Sequence, residues 1–185
     1  KKSNLKALNE YDLKEYNYDI IIARMESENN IEMIIDGFFK SKKERELVIV
    51  GDLNTAFGKY VSEKYYDVRI KYIGFISDKG KLNSLRNFSN LYFHGHSVGG
   101  TNPSLLEAMA SNSLICAHDN IFNKSILEND AFYFNNSEDV SELMDNETKI
   151  LESNSLKINQ EKIRSLYSWK KIVNDYHSFF TKIRN

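Results

Sequence analysis

The chain has 185 residues, 25 Lys and Arg against 26 Asp and Glu for a formal net charge of −1, and 11 Tyr with 11 Phe. That length can bury one core, the aromatic content excludes compositional disorder, and the charge balance argues against a domain that grips nucleic acid over its whole surface. A single cysteine, Cys116, excludes an internal disulfide and fits a reducing compartment; within the apolar run SLICA at 113–117 it reads as a small core residue.

In chain order, DIIIAR at 19–24 is a buried strand. Ile31, Ile34, Ile35, Phe38 and Phe39 then recur at i, i+3, i+4, i+7 and i+8, which predicts a helix with one apolar face. ELVIVG at 46–51 is a second buried strand stopped by glycine, with a helix over 55–65 after it. VRIKYIG at 68–74 alternates and predicts a third strand near a sheet edge, followed by a short helix through Leu82 and Leu85. NLYFH at 90–94 is the fourth strand, leading through a glycine-rich turn to a helix from Pro103 to Ser111. LICA at 114–117 and FYF at 132–134 are the fifth and sixth strands, and helices over 140–151 and 160–183 close the chain. In the last helix, Ile163, Leu166, Ile172, Tyr176, Phe179 and Phe180 are expected to pack on the domain rather than on a membrane.

Strands alternating with helices imply parallel pairing through right-handed crossovers, and strands this apolar fit a sheet covered on both faces. The predicted fold is α/β, a doubly wound parallel sheet of about six strands in a single domain over residues 1–185, with ligands outside the carboxyl ends of the strands. No G-x-G-x-x-G follows the first strand and no P-loop is present, which argues against classical dinucleotide binding. The opening residues lack an apolar stretch, and no run approaches the ~18 residues of a membrane span. The sequons at Asn87 and Asn123 are accordingly expected to be chance matches, and the missing initial Met points to a piece of a longer protein.

The chemistry is concentrated in HGHSVGGTNPSLLEAM at 94–109. Its glycines allow close backbone approach, Asn102 is a plausible cap, and Pro103 suits a first helical position. Free amides and the positive helix end would then face an anion, with Thr101 and Ser104 adding hydroxyls. An ordinary capped connection is the plainer alternative. Glu107, flanked by Leu105, Leu106, Ala108 and Met109, sits in apolar surroundings and wants a partner, for which a sugar hydroxyl is one candidate. Arg24 ends the first strand, where a guanidinium forks onto phosphate oxygens or pairs with Glu26 or Glu28. His94 and His96 share a strand face, but no Cys or acidic ligand stands at a zinc-like spacing, so loop hydrogen bonding is expected and no metal site.

At these residues the chain resembles the C-terminal domain of glycosyltransferase family 4, retaining enzymes of the GT-B fold, over nearly its whole length. IIIAR at 20–24 is similar to the family's opening strand with its phosphate-facing arginine, and LVIVG at 47–51 to its L-x-I-x-G strand, ending at Gly51. IKYIGFI at 70–76 resembles the strand and loop whose backbone meets the nucleobase, here at Phe75 and Ile76. NPSLLEAMA at 102–110 resembles the helix whose Glu binds the nucleotide ribose, here Glu107. YSWKK at 167–171 resembles the start of the final helix, which crosses back to the partner domain. ARMESENN at 23–30 and GHSVGGTNPS at 95–104 look closer to a bacterial subgroup of rhamnosyltransferases of capsule or O-antigen assembly.

The resemblance implies a Rossmann-like half of a GT-B fold that binds the donor, with the N-terminal acceptor domain absent from this chain. The implied reaction transfers a sugar from a nucleotide sugar with retention, dTDP-L-rhamnose favoured and UDP- or GDP-sugars possible, without cofactor or metal. The acceptor would be a lipid-linked glycan held by the missing domain; the place would be the cytoplasm, at the inner face of the membrane for the full-length protein. Arg24 would stabilise the leaving diphosphate, and Asn29, Gly51, Phe75, Ile76, His96, Val98, Gly99, Gly100, Thr101, Asn102, Ser104 and Glu107 would meet the donor. Two positions depart from the family: Gly99 stands where a Glu touches the donor sugar, and Asn29 where a Lys neutralises phosphate. The backbone of residues 98–101 is expected to replace the first; for the second, either Arg24 and the helix end do more, or a residue such as Lys79 or Lys81 helps. With the partner domain missing, the loop after His96 and Trp169 should be exposed. A non-catalytic nucleotide-binding module and a GT-B nucleotide-sugar epimerase remain the alternatives.

Overall fold

A computed structural model describes residues 3–151 and 153–184. Strands β1 (Tyr18–Ile22), β2 (Glu46–Val50), β3 (Ile70–Gly74), β4 (Tyr92–His94), β5 (Ile115–His118) and β6 (Phe132–Phe134) form one sheet in the order β3-β2-β1-β4-β5-β6. Every pairing is parallel. The sheet therefore has the expected doubly wound character, and β3 is an edge strand as its alternation suggested. The helices are α1 (Lys6–Asn9), α2 (Ile31–Lys40), α3 (Ala56–Lys64), α4 (Lys79–Phe88), α5 (Pro103–Ala110), α6 (Ile121–Leu127), α7 (Ser137–Asn146), α8 (Ser153–Leu166) and α9 (Trp169–Arg184).

Strand alternation divides the core in two. Ile20, Val48 and Tyr92 are register neighbours on one face, packed with Leu85 of α4, Leu105 of α5 and Ile126 of α6. Ile21, Ile49 and Phe93 point to the other, against Ile34 and Phe38 of α2, Val61 of α3 and Val140 of α7. Cys116 belongs to this second core and is fully buried, which pushes its thiol well above its ordinary range. Asp19, also buried, ties β1 to the start of β4 by accepting from Asn90 Nδ2 and the Leu91 amide, each at 3.1 Å.

The chain leaves β1, runs outward to the β3 edge, and returns through α4 to lay β4 on the other side of β1. The loops leaving β1 and β4 consequently part in opposite directions, which opens a crevice at their carboxyl ends.

Several expectations change. Phe39 is 42% exposed, at the rim of the α2 stripe, where its ring stacks against Tyr65. The closing helix is two helices, because Ser168 Oγ accepts from the Lys171 amide and the Ser168 carbonyl from the Ile172 amide, which starts α9 afresh. Ile163 packs on the domain and Ile172 is half-buried, but Leu166 at the end of α8 and Tyr176, Phe179 and Phe180 of α9 are exposed. The short α1 and α6 lack the long periodicity that marks a helix in sequence. Among the described residues no helix is long and apolar enough to cross a membrane. Asn123 is buried, with its side chain bonded to the carbonyls of His96 and His118, so that sequon is not a surface acceptor.

Candidate functional site

The crevice holds a cavity of about 730 Å³, within the range of small-molecule sites. Its walls come from the segments after β1, β2, β3 and β4, and from the facing sides of α4 and α5.

On the β1 side, the chain turns through a 3-10 helix at Ser27–Asn29. Arg24 stands two residues past the strand, with a side chain 74% exposed, and pairs with Glu26 at 3.1 Å. Arg24 borders the cavity, and it has the carboxylate partner that the ion-pair reading expected. Asn29 is buried and engaged within the fold. Its Nδ2 donates to the Arg24 carbonyl at 2.9 Å and its Oδ1 meets His96 Nδ1 at 3.0 Å. This buckle fixes the loop after β4 against the loop after β1; of the two histidines expected to hydrogen-bond in the loop, His96 does so here, whereas His94 Nε2 has no partner among the described residues. Gly95 and Gly51 let the backbones close up. A Cβ at Gly95 would sit 1.9 Å from the Asn29 carbonyl oxygen, and one at Gly51 2.5 Å from that of Ala23.

On the β3 side, Gly74 has φ +82°, a conformation that suits glycine, and turns the chain so that Phe75 and Ile76 border the cavity. Phe75 is 76% exposed and free to lie along a flat ligand.

The α4–α5 wall differs most from expectation. Asn102 caps α5 by accepting from the Ser104 amide at 2.8 Å, and Pro103 occupies the first helical position. The amides of Leu105 and Leu106 bond to the Asn102 carbonyl, so the first turn is closed on itself rather than left open to an anion. Ser104 Oγ lies 2.9 Å from Tyr92 Oη and within 3.4 Å of the Ile22 carbonyl and of Arg86 Nη2. Glu107 is not in apolar surroundings: helix geometry turns it outward, 45% exposed, and Arg86 Nη2 donates to its Oε2 at 2.8 Å. Arg86 itself is 2% exposed. His94, 5% exposed at the end of β4, also borders the cavity. Burial, with His96 and the Arg86 guanidinium beside it, pulls its imidazole down to about 3, so it is uncharged at ordinary pH.

Of the residues singled out in sequence, Arg24, Asn29, Gly51, Phe75, Ile76, His96, Asn102, Ser104 and Glu107 border this one cavity. Val98, Gly99, Gly100 and Thr101 do not. Val98 and Thr101 are exposed, and a Cβ at Gly99 or Gly100 would meet open space, because the loop arches away from the sheet edge. Lys79 and Lys81 stay outside too, Lys81 paired with Glu10 at 2.7 Å. The second cation at the cavity is Arg86, which sequence reasoning missed. A signal existed: Arg86 lies four residues after Leu82, on the inward face of an amphipathic helix. Trp169, at 81% exposure, is uncovered as expected. Among the described residues no group of three or more His, Cys, Asp or Glu could hold a metal ion.

No curated protein sequence matches the chain. Among solved structures it is similar to a glycosyltransferase from Rickettsia africae, at 18% identity and a TM-score of 0.79 over 97% of this chain and 51% of that one. It is similar to the C-terminal domain of the group 1 family glycosyl transferase LpcC from Francisella tularensis, at 16% identity and a TM-score of 0.70 over 91% and 95%. The Anabaena protein HepE in complex with UDP aligns at 17% identity and a TM-score of 0.74 over 94% and 52%. The chain thus spans about half the length of the Rickettsia and Anabaena proteins. These likenesses establish the fold as that of a GT-B C-terminal half. Residues 6–165 match the family described as Glycosyl transferases group 1, and the chain belongs to that family.

Proposed function

We propose that this chain is the donor-binding half of a retaining glycosyltransferase and holds a nucleoside diphosphate sugar in the crevice beside β1 and β4. The observation that carries this is the meeting of Arg24 and Glu107, 83 residues apart by their numbers, at one cavity of nucleotide size. Glu107 offers a carboxylate to a ribose diol, oriented by Arg86. Phe75 and Ile76 border the place of a nucleobase. Arg24 serves the diphosphate. As the glycosidic bond to the leaving phosphate oxygen breaks, negative charge builds on the diphosphate, and a positioned guanidinium lowers the barrier. Since the first-turn amides of α5 are already bonded, Arg24 carries more of this role than a helix end does. The UDP complex of HepE supports the nucleotide class.

The finer reading is rhamnose from dTDP-L-rhamnose, passed to a lipid-linked glycan of a surface polysaccharide at the inner face of the membrane. It is supported by the stretches at 23–30 and 95–104. Gly99 fits a donor site without the usual sugar-binding carboxylate. Transfer itself requires the acceptor-binding half.

Thermal stabilisation by dTDP, UDP, GDP and ADP, without added metal, tests both levels. Ligand at ~100 times its dissociation constant stabilises by ~2.7 kcal/mol, a shift of several degrees at this size. A shift selective for dTDP and lost in Arg24→Ala supports the rhamnose donor. A preference for UDP or GDP keeps the transferase and rejects rhamnose. No shift with any nucleotide, in this chain or joined to its acceptor half, rejects the reading.

A further inference from the structure

His94 closes β4 at the switch point, where it is nearly enclosed yet borders the cavity. Its Nε2 is buried and has no hydrogen-bond partner among the described residues. A buried nitrogen left unpaired is unfavourable, and a site that will receive a polar ligand is where such a vacancy persists. The surroundings say which part of a ligand arrives there. Phe75, Ile76 and Glu107 border the cavity together with Arg24 and the hydrogen-bonded Asn29–His96 pair. His94 has neighbours in both groups: its ring centroid lies 6.1 Å from that of His96, and the guanidinium of Arg86, which holds Glu107, is close enough to act on it.

We infer that His94 is a further donor-contacting residue, whose Nε2 donates a hydrogen bond to a diphosphate oxygen of the bound nucleotide sugar; this rests on the nucleotide-sugar reading above. Diphosphate oxygens only accept, so the tautomer required is the one with the proton on Nε2. Because the imidazole is uncharged, it adds direction rather than charge, and the charge comes from Arg24. Its depth also makes it selective. An exposed lysine reaches phosphates in many poses, whereas a ring fixed at the end of a central strand accepts one.

The test compares the unaltered chain with His94→Phe and His94→Gln. Affinities for UDP, dTDP and GDP, and for the matching nucleosides, are measured by calorimetry to millimolar concentration, beside unfolding midpoints without ligand. Loss of a hydrogen bond to a charged group predicts that His94→Phe weakens nucleoside diphosphate binding about ten-fold or more. Nucleoside binding should be unchanged, and the ligand-free midpoint no lower. His94→Gln should recover most of the affinity. In the unaltered protein, the Nε2 nitrogen resonance should report a protonated, hydrogen-bonded nitrogen once the tightest-binding diphosphate is added. Equal diphosphate affinity in all three proteins, or an Nε2 resonance indifferent to nucleotide, overturns the inference while leaving the nucleotide reading intact. A lower midpoint in His94→Phe with unchanged affinity makes His94 a packing residue and also overturns it. Failure of the unaltered chain to bind any nucleoside diphosphate removes the nucleotide reading, and this inference with it.

Discussion

Arg86 in α4 and Glu107 in α5 are joined at 2.8 Å, with one partner 2% exposed and the other 45%. The pair is lopsided: the cation is enclosed and depends on a carboxylate that stands half in water.

Removing the carboxylate should therefore cost stability before any ligand is considered. Glu107→Ala leaves an enclosed guanidinium without its anion and should lower the unfolding free energy by about 1–3 kcal/mol. Glu107→Gln, which keeps an acceptor, should lose less. Chemical denaturation of the ligand-free proteins measures both, and an unchanged midpoint in Glu107→Ala would show that water already satisfies Arg86.

The exposed pair at the opposite wall behaves otherwise. Arg24 and Glu26 are 74% and 37% exposed, so breaking the pair should change stability by no more than about 1 kcal/mol. Arg24→Ala should weaken nucleoside diphosphate binding at an unaltered melting temperature. Glu26→Gln should strengthen it, because a competing carboxylate leaves the cavity. Calorimetric titration with UDP reads both signs.

Three glycines of the loop after β4 are distinguishable by substitution. Gly95→Ala drives a methyl into the Asn29 carbonyl oxygen and should destabilise by about 3 kcal/mol, since neither backbone can retreat. Gly99→Ala meets open space but sits at φ +73°, and should cost about 1 kcal/mol. Gly100→Ala, in open space without that φ, should fall within about 0.5 kcal/mol of the parent. Denaturant midpoints rank the three.

His94 also sets an acid limit. Burial pulls its imidazole from an ordinary 6.5 to about 3, so between those values the unfolded chain holds a proton that the folded chain does not. The unfolded state then binds more protons, and stability falls as pH drops from about 6.5 toward about 3. His94→Gln should flatten this part of the profile, measured as unfolding free energy against pH.

The uncovered face of α9 invites truncation. Trp169, Val173, Tyr176, Phe179 and Phe180 are all more than half exposed, so ending the chain after Ser168 should leave the melting temperature nearly unchanged and reduce self-association in light scattering. A large loss of stability would mean that α9 folds back on the domain.

Much of this was legible in the sequence because it is local. Strands such as ELVIV and the helix spaced on Ile31, Ile34, Ile35 and Phe38 announce themselves by their own period, and an all-parallel sheet follows from their alternation. The Asn102 cap and Pro103 were equally local, as was the stretch at 94–109 that resembles a glycosyltransferase helix. What only the tertiary structure decided was pairing between distant segments. Nothing in α4 or α5 alone says that Arg86 meets Glu107, since that depends on how two helices approach across a shared strand. The same holds for Asn29, whose side chain is consumed by the Arg24 carbonyl and His96, and for the arch of residues 98–101 away from the cavity. The sequence by itself determined which elements form and which family the chain resembles, because periodicity and capping act within a few residues. The packed fold decided which polar atoms remain free to meet a ligand, because a partner in space is fixed only when the elements close on one another.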